Sequence, residues 1–255
     1  MKNLRTLLGA AGVLVGLANA VAAQAPTAPV QSTVPGEQEF GQPVMDREIF
    51  AHALLNQNEG RTNFADTHYR WSGEAWAGTD YDRLWARSEG NVANSSVMDG
   101  IQEFLYSRSI TTFFDLQGGL RSDIDSQPTH NWASLGIEGL APGFFNVETT
   151  GYVSGQGHLS ARLEGYYDLL ITNRLILQPQ IELTFYNKSD PSRDVGPGLS
   201  EIDAGLRLRY EFTRKFAPYI GVTYEGKYGQ TANFAKRVGE STSDFRLAFG
   251  LRIWW

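Results

Sequence analysis

The chain has 255 residues, with 28 acidic and 22 basic side chains, a net charge of −6 at pH 7 and no cysteine. The lack of cysteine excludes disulfide bonds and thiolate metal sites. The acidic balance argues against a nucleic-acid partner, because neutralising phosphates requires clustered Lys and Arg. The 27 Gly, 14 Phe, 11 Tyr and 6 Trp are typical of a strand-rich protein with aromatic belts.

The first 23 residues have the pattern of a secretory signal peptide. Lys2 and Arg5 precede an apolar run at residues 7–17, and small residues follow it. This pattern predicts cleavage before Gln24. A membrane anchor is the alternative, but the apolar run is short for crossing a bilayer.

Residues 24–47 are rich in Pro and Gln and contain few large apolar side chains. Such a composition cannot bury enough surface to offset the entropy of ordering, so we predict a flexible segment. The predicted folded domain is 48–255.

From residue 67 onward, apolar and polar side chains alternate with a period of two, which predicts β-strands with one apolar face. Neither face of 99–109 is cleanly apolar, and Pro179 should remove a ladder hydrogen bond from 175–187. The predicted strands are 67–78, 81–92, 99–109, 113–122, 131–140, 144–154, 158–170, 175–187, 200–211, 216–228 and 241–255.

Two all-β architectures fit this alternation. A soluble sandwich would turn the apolar faces inward, whereas an outer-membrane barrel would turn them toward lipid. Strands of about ten residues and polar faces with charges of both signs favour the barrel. The connections also alternate in length along the second half of the chain, with long loops at 188–199 and 229–240 and a tight turn at 211–215. We therefore predict an antiparallel transmembrane β-barrel with the long loops outside.

The number of strands is predicted from the requirement that it be even (parity). A bacterial single-chain barrel has an even number of strands, and the alternation yields eleven. The missing strand must precede Thr67, where "IFAHALLNQNEG" at 49–60 is the only candidate. Local propensity fits a short helix equally well, so this twelfth strand rests on parity alone.

The closing run, "DFRLAFGLRIWW", alternates to the last residue, Trp255, and has no polar tail. A closed barrel can end in this way because closure leaves no free edge. The final aromatic residue on the lipid-facing register resembles the terminal signal by which outer-membrane barrels are recognised for assembly.

Seven runs between about Ala51 and Trp255 stand in an order that is specific to one family of barrels. They are "HALLNQNEGR", "WSGEAWAGTDYDRLWARSEG", "LYSRSITTFFDLQGGLR", "WASLGIEGLAPGFFNVE", "ARLEGYYDLLITNRLILQPQIE", "GPGLSEIDAGLRLRYEFTRKFAPYIGV" and "RIWW". With these runs the chain resembles the outer-membrane copper-resistance protein B family. The resemblance implies the outer membrane of a Gram-negative bacterium, and a part in copper binding, copper homeostasis and copper resistance. It also implies periplasmic copper-handling proteins as partners.

The candidate copper ligands are few. Family members often carry a long N-terminal stretch rich in Met and His, but the segment here contributes only Met45. Thioether and imidazole groups suit copper, and no pair of them has metal-ligand spacing. Met45 and His52 are the best candidates, because they lie where the family's tail joins the barrel. The other candidates, each more simply interpreted as an ordinary side chain, are Met98, His68, His130 and His158.

The polar faces carry charges that would point into the lumen. They could line a conduction path, but pairing across strands is favoured because burying unpaired charge is costly. A small diffusion pore or a structural barrel without a metal role therefore remains the alternative function. The predicted lumen charges are Glu74, Arg83, Arg87, Glu89, Asp115, Arg121, Glu138, Glu148, Arg162, Glu164, Asp168, Glu182, Asp203, Arg207, Arg209, Arg246 and Arg252.

No catalytic site is predicted. A lipid hydrolase would need a Ser–His pair reachable from the lipid-facing side. His158 and Ser160 share one face, but their register points them toward the lumen. The sequence therefore predicts a protein that is not an enzyme.

Overall fold

The structure is a computed structural model that describes residues 48–93, 96–124 and 130–255. No helix in these ranges is long and apolar enough to cross a membrane. The elements are β1 (Phe50–Thr62), β2 (Thr67–Gly78), β3 (Asp82–Ala93), β4 (Ser96–Ser109), β5 (Phe114–Asp123), β6 (Asn131–Ala141), β7 (Phe145–Ser154), β8 (Leu159–Tyr166), β9 (Leu169–Leu170), β10 (Leu175–Tyr186), β11 (Gly198–Tyr210), β12 (Phe216–Lys227), α1 (Gly229–Arg237) and β13 (Ser243–Trp254).

The sheet closes on itself. Apart from β8 and β9, each strand pairs antiparallel with its neighbour along the chain, and β13 pairs with β1. The Trp255 N–H donates to the Ala53 carbonyl at 3.0 Å, so the last residue is part of the closure. Since β8 and β9 both pair with β10, they form one barrel-spanning strand, and the predicted twelve-stranded antiparallel barrel is confirmed. The segment 49–60 is a strand, as parity required.

The two faces of the barrel differ as the alternation predicted. On β13, Phe245 is 68% exposed on the outside, whereas Arg246 is only 9% exposed and faces the lumen. The same contrast holds on β5, between outward Leu120 and inward Arg121. A sandwich would bury the apolar side chains and expose the charges, so the burial pattern is that of a membrane barrel.

Strand β1 contains a β-bulge that the sequence pattern did not reveal. Its pairing with β2 shifts between Leu55 and Gln57. The bulge reverses the alternation of the strand. Even-numbered residues such as His52 face the lumen before the bulge, and odd-numbered residues such as Glu59 face it after the bulge. This break in the period of two explains why the segment looked equally helical.

Pro179 remains within β10, opposite Leu206 of β11. On its other side, the Tyr167 N–H donates to the Pro179 carbonyl at 3.1 Å, but proline has no N–H with which to return the bond. The ladder is therefore interrupted between β8 and β9, which keep the same register against β10. The predicted strand at 158–170 is one spanning strand with a local gap.

Strand β4 covers the segment 99–109, for which the sequence showed no cleanly apolar face. The structure gives two reasons. Leu105 faces the lumen and is buried there. Gln102 lies on the outer face, where its Nε2 donates to the Ser88 hydroxyl at 2.6 Å. One residue on each face thus departs from the alternation.

The connections differ between the two ends of the barrel. The short-turn end has the connections 79–81, 110–113, 142–144, 171–174 and 211–215, and β1 and β13 also begin and end there. The long-loop end includes 63–66, 155–158, 187–197 and 228–242. The alternation of loop lengths holds where it was predicted, since 187–197 and 228–242 are long and 211–215 is short, whereas 63–66 and 155–158 are as short as the turns at the other end. The membrane side of each end stays a prediction.

The loop predicted at 229–240 contains helix α1. Thr231, Phe234 and Ala235 are buried on one side of this helix, at the spacing of an amphipathic turn. The Gly196 N–H donates to the Thr231 hydroxyl at 2.9 Å, and that hydroxyl donates to Ser200 at 3.0 Å. Loop 187–197 and α1 therefore pack together at the long-loop end.

Candidate functional site: the barrel lumen

The lumen is crossed by ion pairs at mid-height. Arg162 of β8 binds the Glu89 carboxylate of β3 through both terminal nitrogens, and these strands lie on opposite sides of the barrel. The Arg162 Nε also lies 3.1 Å from Glu182 of β10. Arg70 of β2 reaches the same Glu182 at 3.4 Å. These side chains span the lumen and hold opposite walls together.

A second centre surrounds Arg87 of β3. Its guanidinium lies 2.5 Å from Glu138 and 2.9 Å from Glu148, while Glu74 is farther away at 3.7 Å. Gln117 donates to the same Glu138 carboxylate at 2.6 Å. One cation thus faces three carboxylates, and Glu74 is the least well compensated of the three.

The most deeply buried charges are on β1, and the sequence analysis missed them. Glu59 and Arg61 are both 0% exposed. Arg61 lies 2.6 Å from Asp203 and 2.7 Å from Glu225, and Arg207 binds Glu59 at 2.8 Å. Glu59 and Arg61 were overlooked because the bulge hid their register. The signal available in the sequence was two opposite charges two residues apart, at the far end of a proposed strand.

Most of the predicted lumen charges are paired. Arg252 is the exception, since it forms no ion pair with any described residue, and its guanidinium lies 5.7 Å from the Trp254 ring. The predicted charges that form ion pairs are Glu74, Arg83, Arg87, Glu89, Asp115, Arg121, Glu138, Glu148, Arg162, Glu164, Asp168, Glu182, Asp203, Arg207, Arg209 and Arg246.

Of the two predicted copper ligands, only His52 has a described position. It is half-buried at the short-turn end of β1, with its ring 6.1 Å from that of Trp76. Met45 lies outside the described residues. Within the described part of the chain, no three His, Asp or Glu side chains form a group that could hold a metal ion. The described residues alone therefore do not make a copper site.

The remaining candidates lie far from His52. At the long-loop end, the His68 Nε2 is 3.1 Å from a Glu225 carboxylate oxygen, and the His130 Nδ1 is 2.9 Å from an Arg193 nitrogen. His158 is the last residue of the 155–158 turn, and its carbonyl accepts a hydrogen bond from the Ser154 N–H at 2.9 Å. Met98 is exposed on β4. The structure thus places all four residues away from His52. Among the residues that the structure describes, only His130 and His158 of the four share a neighbour, Asp190 of loop 187–197.

Loop 187–197 contains a locally organised carboxylate. Burial would raise the pKa of Asp190, but the Ser192 hydroxyl and backbone amide both donate to its Oδ1, at 2.5 and 3.0 Å. These hydrogen bonds favour the charged form and hold the pKa of Asp190 below its usual value. Nearby His158 and His130 act in the same direction. The loop is therefore ordered around an ionised aspartate.

Comparison with known families identifies the chain. Residues 49–255 match the family model described as copper resistance protein B precursor, CopB. The chain belongs to this family. It is 41% identical to the copper resistance protein B of Escherichia coli over 214 residues, which are 84% of this chain and 72% of that protein. The homologue from Pseudomonas syringae pv. tomato is 40% identical, over 84% and 73%.

Solved structures similar to the CopB-family chain are barrels. The NanC porin has a TM-score of 0.52 and 15% identity, covering 80% of this chain and 99% of its own. The KdgM porin has a TM-score of 0.47 and 13% identity, covering 80% and 98%. The NanC similarity shows the fold alone. Family membership together with the lipid-facing barrel surface places the chain in the outer membrane of a Gram-negative bacterium.

Proposed function

We propose that this outer-membrane barrel contributes to copper resistance and homeostasis by binding copper ions at its periplasmic face, without catalysis. The observation that carries the proposal is the match of residues 49–255 to the copper resistance protein B family. Copper is then a cargo ion, the short-turn end faces the periplasm, and periplasmic copper-handling proteins are the partners at that end.

Met45 and His52 are the proposed ligands. The chain has no thiolate, so a thioether and an imidazole are the groups best suited to Cu(I). The position of His52 at the lumen mouth supports this choice, because an ion arriving from the preceding segment would meet its ring first. The seven-residue separation requires the chain to fold back at the mouth, and a lumen carboxylate would complete the site.

The test is the double substitution Met45→Ala/His52→Ala. We expect Cu(I) affinity of the refolded protein to fall at least tenfold, about 1.4 kcal/mol, and copper tolerance of cells to fall with it. Heat-modifiable mobility on gels should be unchanged, because the backbone ladder between β1 and β13 closes the barrel. The matched control, Met98→Ala/His158→Ala, removes the same residue types elsewhere in the barrel and should retain both properties.

Two results would contradict the proposal. Wild-type affinity and tolerance in the double variant would place the ligands elsewhere. Wild-type protein that binds no copper would favour the pore or structural alternative. The ion pairs that cross the lumen at Arg162 and Arg70 argue against a freely conducting pore, which single-channel recording of the refolded barrel would examine directly.

A further inference from the structure

The lumen contains a cavity of about 120 Å³ between the mid-height ion pairs and the short-turn end. This volume has room for roughly four water molecules, which suits a small organic ion and excludes an oligosaccharide. The charged side chains that line it are six glutamates, at positions 74, 89, 103, 138, 148 and 164, and three arginines, at positions 87, 162 and 252.

Arg252 is the unusual group in this wall. Its Nε and Nη1 atoms are buried and have no hydrogen-bond partner among the described residues. These two nitrogens carry three of the five N–H donors of the guanidinium, and leaving buried donors unpaired is costly. Arg252 therefore points to an acceptor supplied by a ligand, and a carboxylate matches the guanidinium geometry best.

Glu74 is the counterpart of Arg252 on the same wall. Leu54 of β1 pairs with Glu74 of β2 on one side and with Trp254 of β13 on the other. Glu74 and Arg252 therefore face the cavity from the two strands that flank β1, and they form no ion pair with each other. Among the described residues, the cation paired with Glu74 is Arg87, at 3.7 Å, which is shared with two better-placed carboxylates.

The charge of the wall selects the class of ligand. Six carboxylates against three guanidiniums make the cavity negative, so a simple anion would be repelled even though Arg252 needs an acceptor. A simple cation would leave Arg252 unpaired. A molecule that carries both charges satisfies both groups.

We propose that this cavity binds a small α-amino acid as a zwitterion, with its carboxylate on Arg252 and its ammonium group on Glu74. The site consists of lumen residues alone and does not depend on copper binding by Met45 and His52.

Binding of radiolabelled glycine, acetate and methylammonium to the refolded full-length barrel in detergent tests the proposal. Glycine should bind with one-to-one stoichiometry and at least tenfold more tightly than either single-charge probe. Arg252→Gln should weaken glycine binding at least tenfold, and Arg252→Lys should recover part of the affinity. Glu74→Gln should also weaken glycine binding at least tenfold.

Arg246→Gln is the matched control. Arg246 lies on the same face of β13, six residues toward the long-loop end, and is paired with Asp244 at 2.7 Å. This variant should bind glycine like the wild type. The proposal is overturned if glycine binds no better than acetate or methylammonium, or if the control loses glycine as completely as Arg252→Gln. Heat-modifiable mobility confirms that each variant is folded, and Arg252→Lys keeps the test decisive if the neutral variant fails to fold.

Discussion

At the residue scale, Arg162 is the side chain on which the lumen charges converge. It lies within 3.3 Å of carboxylates from β3, β8 and β10, namely Glu89, Glu164 and Glu182. Each of these glutamates is at least four-fifths buried. The guanidinium therefore neutralises a site that water reaches poorly.

We expect Arg162→Ala to destabilise the barrel by about 3–5 kcal/mol, because it leaves the buried Glu89 and Glu164 without a paired cation and Glu182 with Arg70 alone. Urea unfolding of the refolded protein, followed by gel mobility, measures this change.

The control is Arg108→Ala. Arg108 is largely exposed and lies 3.8 Å from an exposed Asp82, so its removal should cost less than about 1 kcal/mol. Equal effects of the two substitutions would show that the lumen network does not stabilise the barrel.

Individual lumen residues were predictable wherever the alternation is unbroken. Arg162, Arg246 and Arg252 could be assigned to the inner face from a period of two alone. Glu59 and Arg61 could not, since an extra residue in β1 shifts their register. The partners of each charge were also beyond prediction, because they lie on strands far apart in sequence and only closure brings them together.

At the element scale, Pro179 accounts for the gap between β8 and β9. Pro179→Val should add the missing N–H opposite the Tyr167 carbonyl and extend the ladder without interruption. Because a net intramolecular hydrogen bond contributes about 1 kcal/mol, the free energy of unfolding should rise by roughly that amount. The backbone amide introduced by the substitution should exchange slowly with deuterium.

The nearby substitution Leu177→Val serves as the control. It lies on the same outer face of β10 but changes no backbone donor, so it should not stabilise the protein. If the amide introduced at position 179 exchanged as fast as a loop amide, the gap would not be caused by the missing N–H.

Element type was predictable, and element detail was less so. The eleven strands predicted from alternation and the one predicted from parity are all present. They could be predicted because one face of each strand contacts lipid and the other faces the charged lumen. Helix α1 was predicted as loop, since its nine residues are too few for helical periodicity to stand out before Phe234 is seen packing against the barrel.

At the scale of the whole molecule, the orientation in the membrane follows from the loop lengths. The long loops at 188–199 and 229–240 should face outside and the 211–215 turn the periplasm. Ser192 and Thr213 are both exposed in the structure. In intact cells, Ser192→Cys should react with a membrane-impermeant maleimide, and Thr213→Cys should react only after lysis. The reverse pattern would invert the topology.

We predict that assembly in the outer membrane depends on the last strand. Trp255 is exposed on the outer face, and its backbone bonds to Ala53 at the seam. Trp255→Asp should sharply reduce outer-membrane levels, because it removes the terminal aromatic signal and places a charge near lipid at a cost of up to a few kcal/mol.

Deletion of Trp255 should have the same effect, and Met98→Leu, an exposed substitution away from the seam, should not. Immunoblotting of outer-membrane fractions provides the measurement. If the Trp255→Asp variant reached the outer membrane at wild-type levels, the terminal aromatic residue would not be part of the assembly signal.

The buried pairs of β1 have a consequence for how the barrel recognises its own correct closure. Glu59 and its partner Arg207 are 148 residues apart, and Arg61 reaches Asp203 across 142 residues. Glu59 and Arg61 also pair with each other at 2.8 Å, but Arg207 and Asp203 of β11 reach them only when β13 joins β1 in the native register. A sheet that closed one strand short, or slipped by two residues, would separate the Glu59–Arg61 pair from β11 and leave Arg207 without a carboxylate inside a narrow lumen. The lumen charges therefore select the native closure, because barrels with a wrong strand number or register are less stable than the correctly closed form.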